Sequence, residues 1–492
     1  MVIRLKDVII VGGGLGGLAS ALRLLHAGYQ VTIYEKESTV GGRINQLKTK
    51  QGYTFDLTAS ILLLKQPLIE LFNDLNLKLE DYLPLQELPT IYRVFYQHQV
   101  ISVTRQISTC LMTLEQQTPK DSIKFLKFLA EGYDRLVMTN EQFLTKRFEQ
   151  PSDFFNLQTI LTGATLKPFQ TSATYLKSFK FSEWLTQYLL FQSMYVGINP
   201  YQSPNIYTIL PVGAQLYGIS YLKEGLYTMI RVMEQLITAM GGKILTNTAV
   251  DKICVKDGRV TGIEVKAGYK AGYKTADIVL INTDVTYAHQ VLLRESTFKP
   301  LTSSCSVFIL YLGIRQRLTQ LDVHNIYLGK VFDKNLQDAF VGNIPTQPSL
   351  YIYCPSRVDP SVAPNGCEAV SVTVRIPHLG QLSDFEKCDK LKIRTYIVKT
   401  LSKILNTPNL EELIEYESCL TPTQLRNCFN AYEGNAFGAQ HNFMQTTYFR
   451  PHHQSKTINN LYYVGASTHP GTGITLVLKG AKLVVNEIMS NN

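Results

Sequence analysis

The chain has 492 residues, 45% apolar and 18% charged, with a net charge of +9. That composition excludes a disordered chain, and that length exceeds a single hydrophobic core, so two or three folded domains are expected. Lysine and arginine are scattered rather than gathered into basic runs, which argues against nucleic acid and leaves a mild attraction to anionic lipid open.

The elements begin with a strand at Asp7 to Val11, a glycine loop from Gly12 to Gly17, an apolar-faced helix over Leu18 to Gly28, and a second strand from Gln30 to Tyr34 that ends in Glu35. This is a β-α-β unit with the fingerprint of a dinucleotide site. Gly12 permits the tight turn, Gly14 the close approach of a pyrophosphate, and Gly17 the packing of helix on strand. The helix N-terminus offers free N–H groups and a positive dipole end, and Glu35 accepts ribose hydroxyls. Next come Val40-Gly41-Gly42-Arg43, whose glycines free the backbone and whose arginine can meet a phosphate or a flavin edge. The short strand-like Gly52 to Asp56 follows where a nicotinamide-binding domain would continue with a crossover helix, so the cofactor is expected to be FAD.

Helical patterns dominate residues 110–222, at Ile123 to Met138 and Lys177 to Phe191. No charged residue occurs from Trp184 to Leu222, yet its prolines and glycines forbid a spanning helix. The stretch is buried core or the wall of an apolar cavity. Residues Lys243 to Asn282 are strand-rich, with turns at Asp257-Gly258 and in the tandem AGYKAGYK of residues 267–274, a duplicated hairpin tip. Strands are expected at Ser306 to Gly313 and Glu368 to Arg375, and a helix near Tyr396 to Leu405. From Asn460 a strand, a loop carrying Gly465, Gly471 and Gly473, and a helix over Leu476 to Ile488 again offer backbone N–H groups, suited to the N1 and O2 edge of a flavin. His469 in that loop is a site residue of undefined role, as fit to brace the loop as to move protons.

The eight cysteines stand singly with no CxxC pair, so no metal and no redox dithiol are expected. The N-terminus lacks the features of a signal peptide, and no apolar run reaches about 18 residues, so a cytoplasmic chain without a spanning helix is expected.

Together, the VGGGLGGLAS opening, Glu35-Lys36 with Val40-Gly-Gly-Arg43, Tyr195-Val-Gly-Ile-Asn199, and GASTHPGTG from Gly465 to Gly473 resemble the carotenoid and phytoene desaturase family. The nearest branch is the bacterial one acting on thirty-carbon dehydrosqualene (4,4'-diapophytoene). The resemblance implies an α/β chain in which an FAD-binding Rossmann-like domain of the glutathione reductase/amine oxidase type interleaves with an α+β substrate domain. The first is assigned residues 1–109, 223–299 and 431–492. The second is assigned 110–222 and 300–430, with a helical membrane-facing part. FAD is expected on Gly12, Gly14, Gly17, Glu35, Lys36, Gly42, Arg43, the backbone of Val250, and Gly465 through Gly473 to Ile474.

The implied activity is desaturation of the thirty-carbon precursor towards 4,4'-diaponeurosporene by hydride transfer to flavin. A terminal-methyl oxygenase of the same family, or a non-catalytic isoprenoid carrier of the same fold, are the alternatives. Asp56 and Glu224 are candidate bases only through their place beside family motifs. The family's FDxGP reads Phe55-Asp56-Leu57-Thr58-Ala59 here, its paired glycines read Glu224-Gly225, and the proline of its GxGVP is Thr475. A polyene precursor lives in lipid, which implies peripheral contact with the inner face of the cell membrane. Candidate surfaces are Lys120 to Lys127 and Lys177 to Trp184, where Lys124, Lys127, Lys177 and Lys180 stand among Phe125, Phe128, Phe179, Phe181 and Trp184. The sequence is equally compatible with a homo-oligomer.

Overall fold

A computed structural model describes residues 6–148, 150–266, 272–382, 385 and 387–491. Its centre is a five-stranded parallel sheet in the order Lys243–Leu245, Gln30–Tyr34, Asp7–Val11, Ile278–Ile281, Leu461–Tyr463. The central strands Asp7–Val11 and Ile278–Ile281 are short β-branched runs buried on both faces, as a covered parallel sheet requires. Alternate residues serve different layers. Val8, Ile10, Ile33 and Leu280 pack under helices Leu15–His26, Tyr227–Ala239 and Ile474–Asn491, while Ile9, Val11, Val279 and Ile281 pack under the antiparallel sheet Val250–Lys256, Arg259–Val265, Gly272–Thr275. The tandem's residues 267–271 lie outside the described residues.

A seven-stranded mixed sheet forms the second layer system, in the order Ile414–Leu420, Ser306–Ile314, Glu368–Ile376, Leu350–Tyr353, His324–Leu328, Thr90–Tyr96, Gln99–Thr104. Helix Lys387–Ile404 packs on one face through Ile393, Ile397 and Leu401. The last two strands come from residues expected in the first segment of the nucleotide domain. They are recruited because Thr90–Tyr96 adds in parallel to His324–Leu328, a pairing with no local sequence signal.

The expected helices exist with shifted ends, at Asp121–Thr139 and Lys387–Ile404. The pattern over Lys177 to Phe191 is instead two helices, Ser172–Ser178 and Glu183–Phe191. They are split where Lys180 takes a left-handed φ of 52° and Ser182 donates its N–H to the buried carboxylate of Asp121. The split turns the aromatic residues inward. Phe128 meets Phe179 and Phe181 edge-on at 5.5 and 6.0 Å, and Phe125 and Trp184 are buried in the same cluster. Phe125, Phe128 and Trp184 are core and Phe179 and Phe181 pack half-buried against them, so the outward apolar residues of these stretches are Ile123 and Leu126 rather than the aromatic rings. Among the described residues no helix is long and apolar enough to cross a membrane.

Candidate active site

The glycine loop is held open by its neighbours. Gly12 sits at φ 99° and donates its N–H to Tyr34 at 2.8 Å, continuing the strand pairing into the turn. A Cβ on Gly17 would lie 2.5 Å from the carbonyl oxygen of Gly12, a backbone atom that cannot give way. Helix Leu15–His26 starts at Gly14 with no side-chain cap, so its first N–H groups remain available to an anion. Asn282, just past the strand Ile278–Ile281, lies beside Gly14 and donates to the carbonyl of Val464 at 2.9 Å, tying the loop to the C-terminal strand.

Glu35 is fixed by two backbone donors, Gly13 N–H at 2.7 Å and Glu37 N–H at 2.9 Å. Burial raises its pKa, and the two N–H groups pull it back down. Each carboxylate oxygen keeps a further lone pair for a ribose hydroxyl. Lys36 is engaged elsewhere: its Nζ donates to the Asn427 carbonyl at 2.6 Å and the Asn430 side chain at 3.0 Å, locking the loop to helix Pro422–Phe429.

A cavity of about 580 Å³ runs from Glu35, Lys36 and Val250 past Gly12 and Gly14 to Gly42, Arg43, Gly465, Gly473 and Ile474. It continues between the two main sheets, walled by Ile61, Tyr195, Val307, Ile309, Tyr351, Thr373, Arg375 and Phe437. Ten of the eleven residues singled out for the cofactor line it. Gly17 does not, because its part is to let helix and strand close behind the loop. Of the uncharged stretch Trp184 to Leu222 only Tyr195 reaches this cavity, and Trp184 to Phe191 is core.

The charged middle of the cavity is a pair. The Arg43 guanidinium lies near Asp284; burial lowers the first group's pKa and raises the second's, and each opposes the other's shift. Asp284 also caps the turn that follows it and accepts from Ser467 at 3.3 Å. The loop from Gly465 is braced by Arg450, a residue with no local sequence signal and no exposure. It donates to the carbonyls of Thr468 at 3.1 Å, Ala466 at 2.5 Å, Ala439 at 3.1 Å and Gln445 at 2.8 Å. Thr475, at the family's proline position, uses its hydroxyl to bond the Leu63 carbonyl at 2.6 Å, a contact proline lacks.

The three residues considered for proton chemistry lie outside this cavity. Asp56 is buried beneath it, accepting from Leu226 N–H at 3.0 Å and the Tyr353 hydroxyl at 3.1 Å, and burial lifts its pKa to about 7. Glu224 is exposed, paired with Arg231 at 2.7 Å, and takes φ 65° where the family has glycine, while Gly225 stays glycine because a Cβ there would strike Asp56 at 2.6 Å. His469 lies in a separate void of about 20 Å³ with His452 and His453, edge-on to Phe148 at 5.2 Å. Burial drops its pKa to about 3, so it is neutral at neutral pH. The cavity wall instead offers Tyr351, whose hydroxyl is 2.7 Å from Nδ1 of His324 and 3.0 Å from Ser60 Oγ. Burial holds His324 neutral as well, with a pKa near 3.

This donor set suits an FAD: a carboxylate and an open glycine cradle at one end, a helix N-terminus in the middle, and a second glycine loop leading into a helix at the other. The flavin-containing amine oxidoreductase family matches over residues 15–489. The 4,4'-diapophytoene desaturase (4,4'-diaponeurosporene-forming) of Staphylococcus haemolyticus is 32% identical, with 98% of this chain and 99% of that protein covered. Among solved structures, an oxidoreductase from Methanosarcina mazei superposes with a TM-score of 0.66 at 18% identity, covering 98% of this chain and all of that one. Cyclohexylamine oxidase from Brevibacterium oxydans superposes with 0.62 at 15%, covering 99% and 100%. The chain is therefore an FAD-dependent oxidoreductase belonging to the flavin-containing amine oxidoreductase family, on its carotenoid desaturase branch.

Proposed function

We propose that the chain dehydrogenates a thirty-carbon carotenoid precursor, 4,4'-diapophytoene towards 4,4'-diaponeurosporene. The observation that carries this reading is a cavity that joins the dinucleotide end to a space between two sheets walled mostly by aliphatic and aromatic side chains. The 32% identity to a desaturase of that substrate, over nearly the whole of both chains, supports it. Desaturation removes two hydrogens from an allylic CH–CH unit, and bound FAD supplies the hydride acceptor. Gly12, Gly14, Glu35, Val250, Arg43 and the Gly465–Ile474 loop would hold that cofactor. The apolar wall excludes water and aligns the chain carbons. Tyr351 Oη, hydrogen-bonded to Nδ1 of His324, is the wall group able to relay the departing proton to that imidazole, because the substrate cation left by hydride loss is acidic enough to protonate even a histidine whose pKa is held near 3. Expression in cells that make dehydrosqualene tests the reading. Yellow pigment with the absorption of a lengthened polyene supports it; colourless extracts from cells whose purified protein carries FAD overturn it.

A hydrocarbon of this kind partitions into lipid, so the protein meets its substrate at a bilayer. The larger exposed apolar face is built from other segments than the two lysine-flanked stretches. Residues 154–166 and 437–449 contain no Asp, Glu, Lys or Arg. They meet through Phe154 on Tyr448 at 5.1 Å, and Phe169 stacks near Phe443 at 5.2 Å. Together they expose Phe155, Leu157 (73%), Ile160, Leu161, Phe169 (85%) and Met444, with Lys167 at the edge. Such a patch, with a lysine at its edge, fits a bilayer surface. Flotation with phosphatidylglycerol liposomes should carry the protein upward, and a triple Leu157→Ser, Ile160→Ser, Phe169→Ser variant should stay at the bottom. A wild type that stays down at low salt refutes the assignment.

A further inference from the structure

Arg375 is the feature that a hydrocarbon substrate leaves unused. It lies on the strand Glu368–Ile376, where Thr373 and Arg375 line the cavity while Val372, Val374 and Ile376 pack into the core behind it. Its Nε donates to the Met194 carbonyl at 2.6 Å, and its guanidinium carbon stands 5.0 Å from the centre of the Phe437 ring. The four N–H bonds of its two terminal nitrogens have no acceptor, and no carboxylate pairs with it, among the described residues. The groups that bear on its charge are Cys305, Tyr195 and Tyr351, all neutral in their ordinary state, and burial pushes its pKa down. Arg43, by contrast, has Asp284, and Arg450 has four carbonyls.

A guanidinium walled by Val307, Ile309, Tyr351 and Phe437 keeps its charge at any pH the protein meets, and its planar fork matches two oxygens side by side. A purely hydrocarbon ligand pressed against it would strip its water and return no hydrogen bond. We propose that Arg375 seats an oxygen function, a carboxylate in its strongest form, at the end of an isoprenoid ligand. The cavity then accepts an oxygenated polyene as well as the hydrocarbon. The inference rests on the isoprenoid reading of this cavity and adds a second ligand class to it. A ligand of that class arises when a reaction elsewhere oxidises a terminal methyl group.

The probe is farnesoic acid, with its methyl ester and farnesane as controls, measured by equilibrium dialysis against the FAD-loaded full chain. A charge-assisted pair is worth about 1.5–3 kcal/mol, so the acid should bind about 10- to 100-fold more tightly than the ester. Arg375→Met should erase that preference while binding farnesane at least as tightly as the wild type and keeping the FAD content, and Arg375→Lys should keep part of the preference. Equal binding of acid and ester by the wild type overturns the proposal without any variant. So does a preference that survives Arg375→Met. Loss of FAD from the Met and Lys variants alike would assign the guanidinium to the cofactor and equally overturn it. Conversion of 4,4'-diapophytoene by the wild type, run in parallel, reports on the desaturase reading separately.

Discussion

Replacing Asp56 with asparagine separates a structural carboxyl from a catalytic one. The side chain bridges two elements, with Oδ1 on Leu226 N–H and Oδ2 on the Tyr353 hydroxyl, and it is 8% exposed. Asparagine keeps the first bond, and the Tyr353 hydroxyl can turn to accept from the new amide, so the fold should persist. Burial sets the folded pKa near 7, against about 3.9 in the unfolded chain. Below about pH 4 both states carry the proton and the group leaves stability unchanged. Between about 4 and 7 the unfolded chain has released a proton that the folded one retains, so stability falls as pH rises, by about 1.4 kcal/mol per unit. The full loss, reached above pH 7, is about 4 kcal/mol as an upper bound. Urea unfolding of the FAD-loaded protein at pH 5.5 and 7.5 should therefore show Asp56→Asn gaining on the wild type by about 2 kcal/mol across that interval. Parallel behaviour of the two proteins would refute the buried, charge-starved carboxyl. A loss of turnover of about 100-fold or more with FAD content intact would return Asp56 to the chemistry.

Glu35→Gln should weaken FAD binding by about 10- to 100-fold, because a charge-assisted acceptor is lost and the new amide N–H₂ faces a backbone donor; fluorescence titration of apoprotein with FAD reads this directly. Tyr351→Phe should leave FAD content unchanged and slow pigment formation by about 10²-fold, the low end for removal of an acid–base group. An unaltered rate in single-turnover assays would take Tyr351 out of proton handling.

The cofactor half was legible because it is local. The strand, glycine loop, helix and Glu35 lie within one run of chain, and each glycine answers to a contact at fixed spacing, as Gly17 does against Gly12. Helix ends slipped by a few residues where no side chain caps them, as at Gly14. The substrate half was not legible in the same way. Thr90–Tyr96 joins the second sheet through a parallel pairing with a strand more than two hundred residues away. Arg450 braces the C-terminal loop from a segment with no regular period, and the neutrality of His324 follows from burial, which no motif records. The break at Lys180 sets Phe179 and Phe181 half-buried against Phe128, so the rings in a lysine and phenylalanine mixture that reads as interfacial serve mostly for packing.

The strand Glu368–Ile376 carries a signal of its own in its sequence. In Glu368–Ile376 the positions Val370, Val372, Val374 and Ile376 alternate with Ala369, Ser371, Thr373 and Arg375, yet all but Thr373 and Arg375 are buried. A strand buried on both faces has no reason to carry a cation unless one face opens onto something other than solvent. The same logic applies after Ile278–Ile281, where a wholly apolar strand ends abruptly in Asn282-Thr283-Asp284 and all three residues line the cavity. Parallel sheets gather ligands at the carboxyl ends of their strands, and this is such an end. Polar residues that interrupt or terminate fully buried strands thus mark this site as specifically as its glycines do. They mark two places along its wall, the Asn282 to Asp284 corner beside the glycine loop and Arg375 between the two sheets.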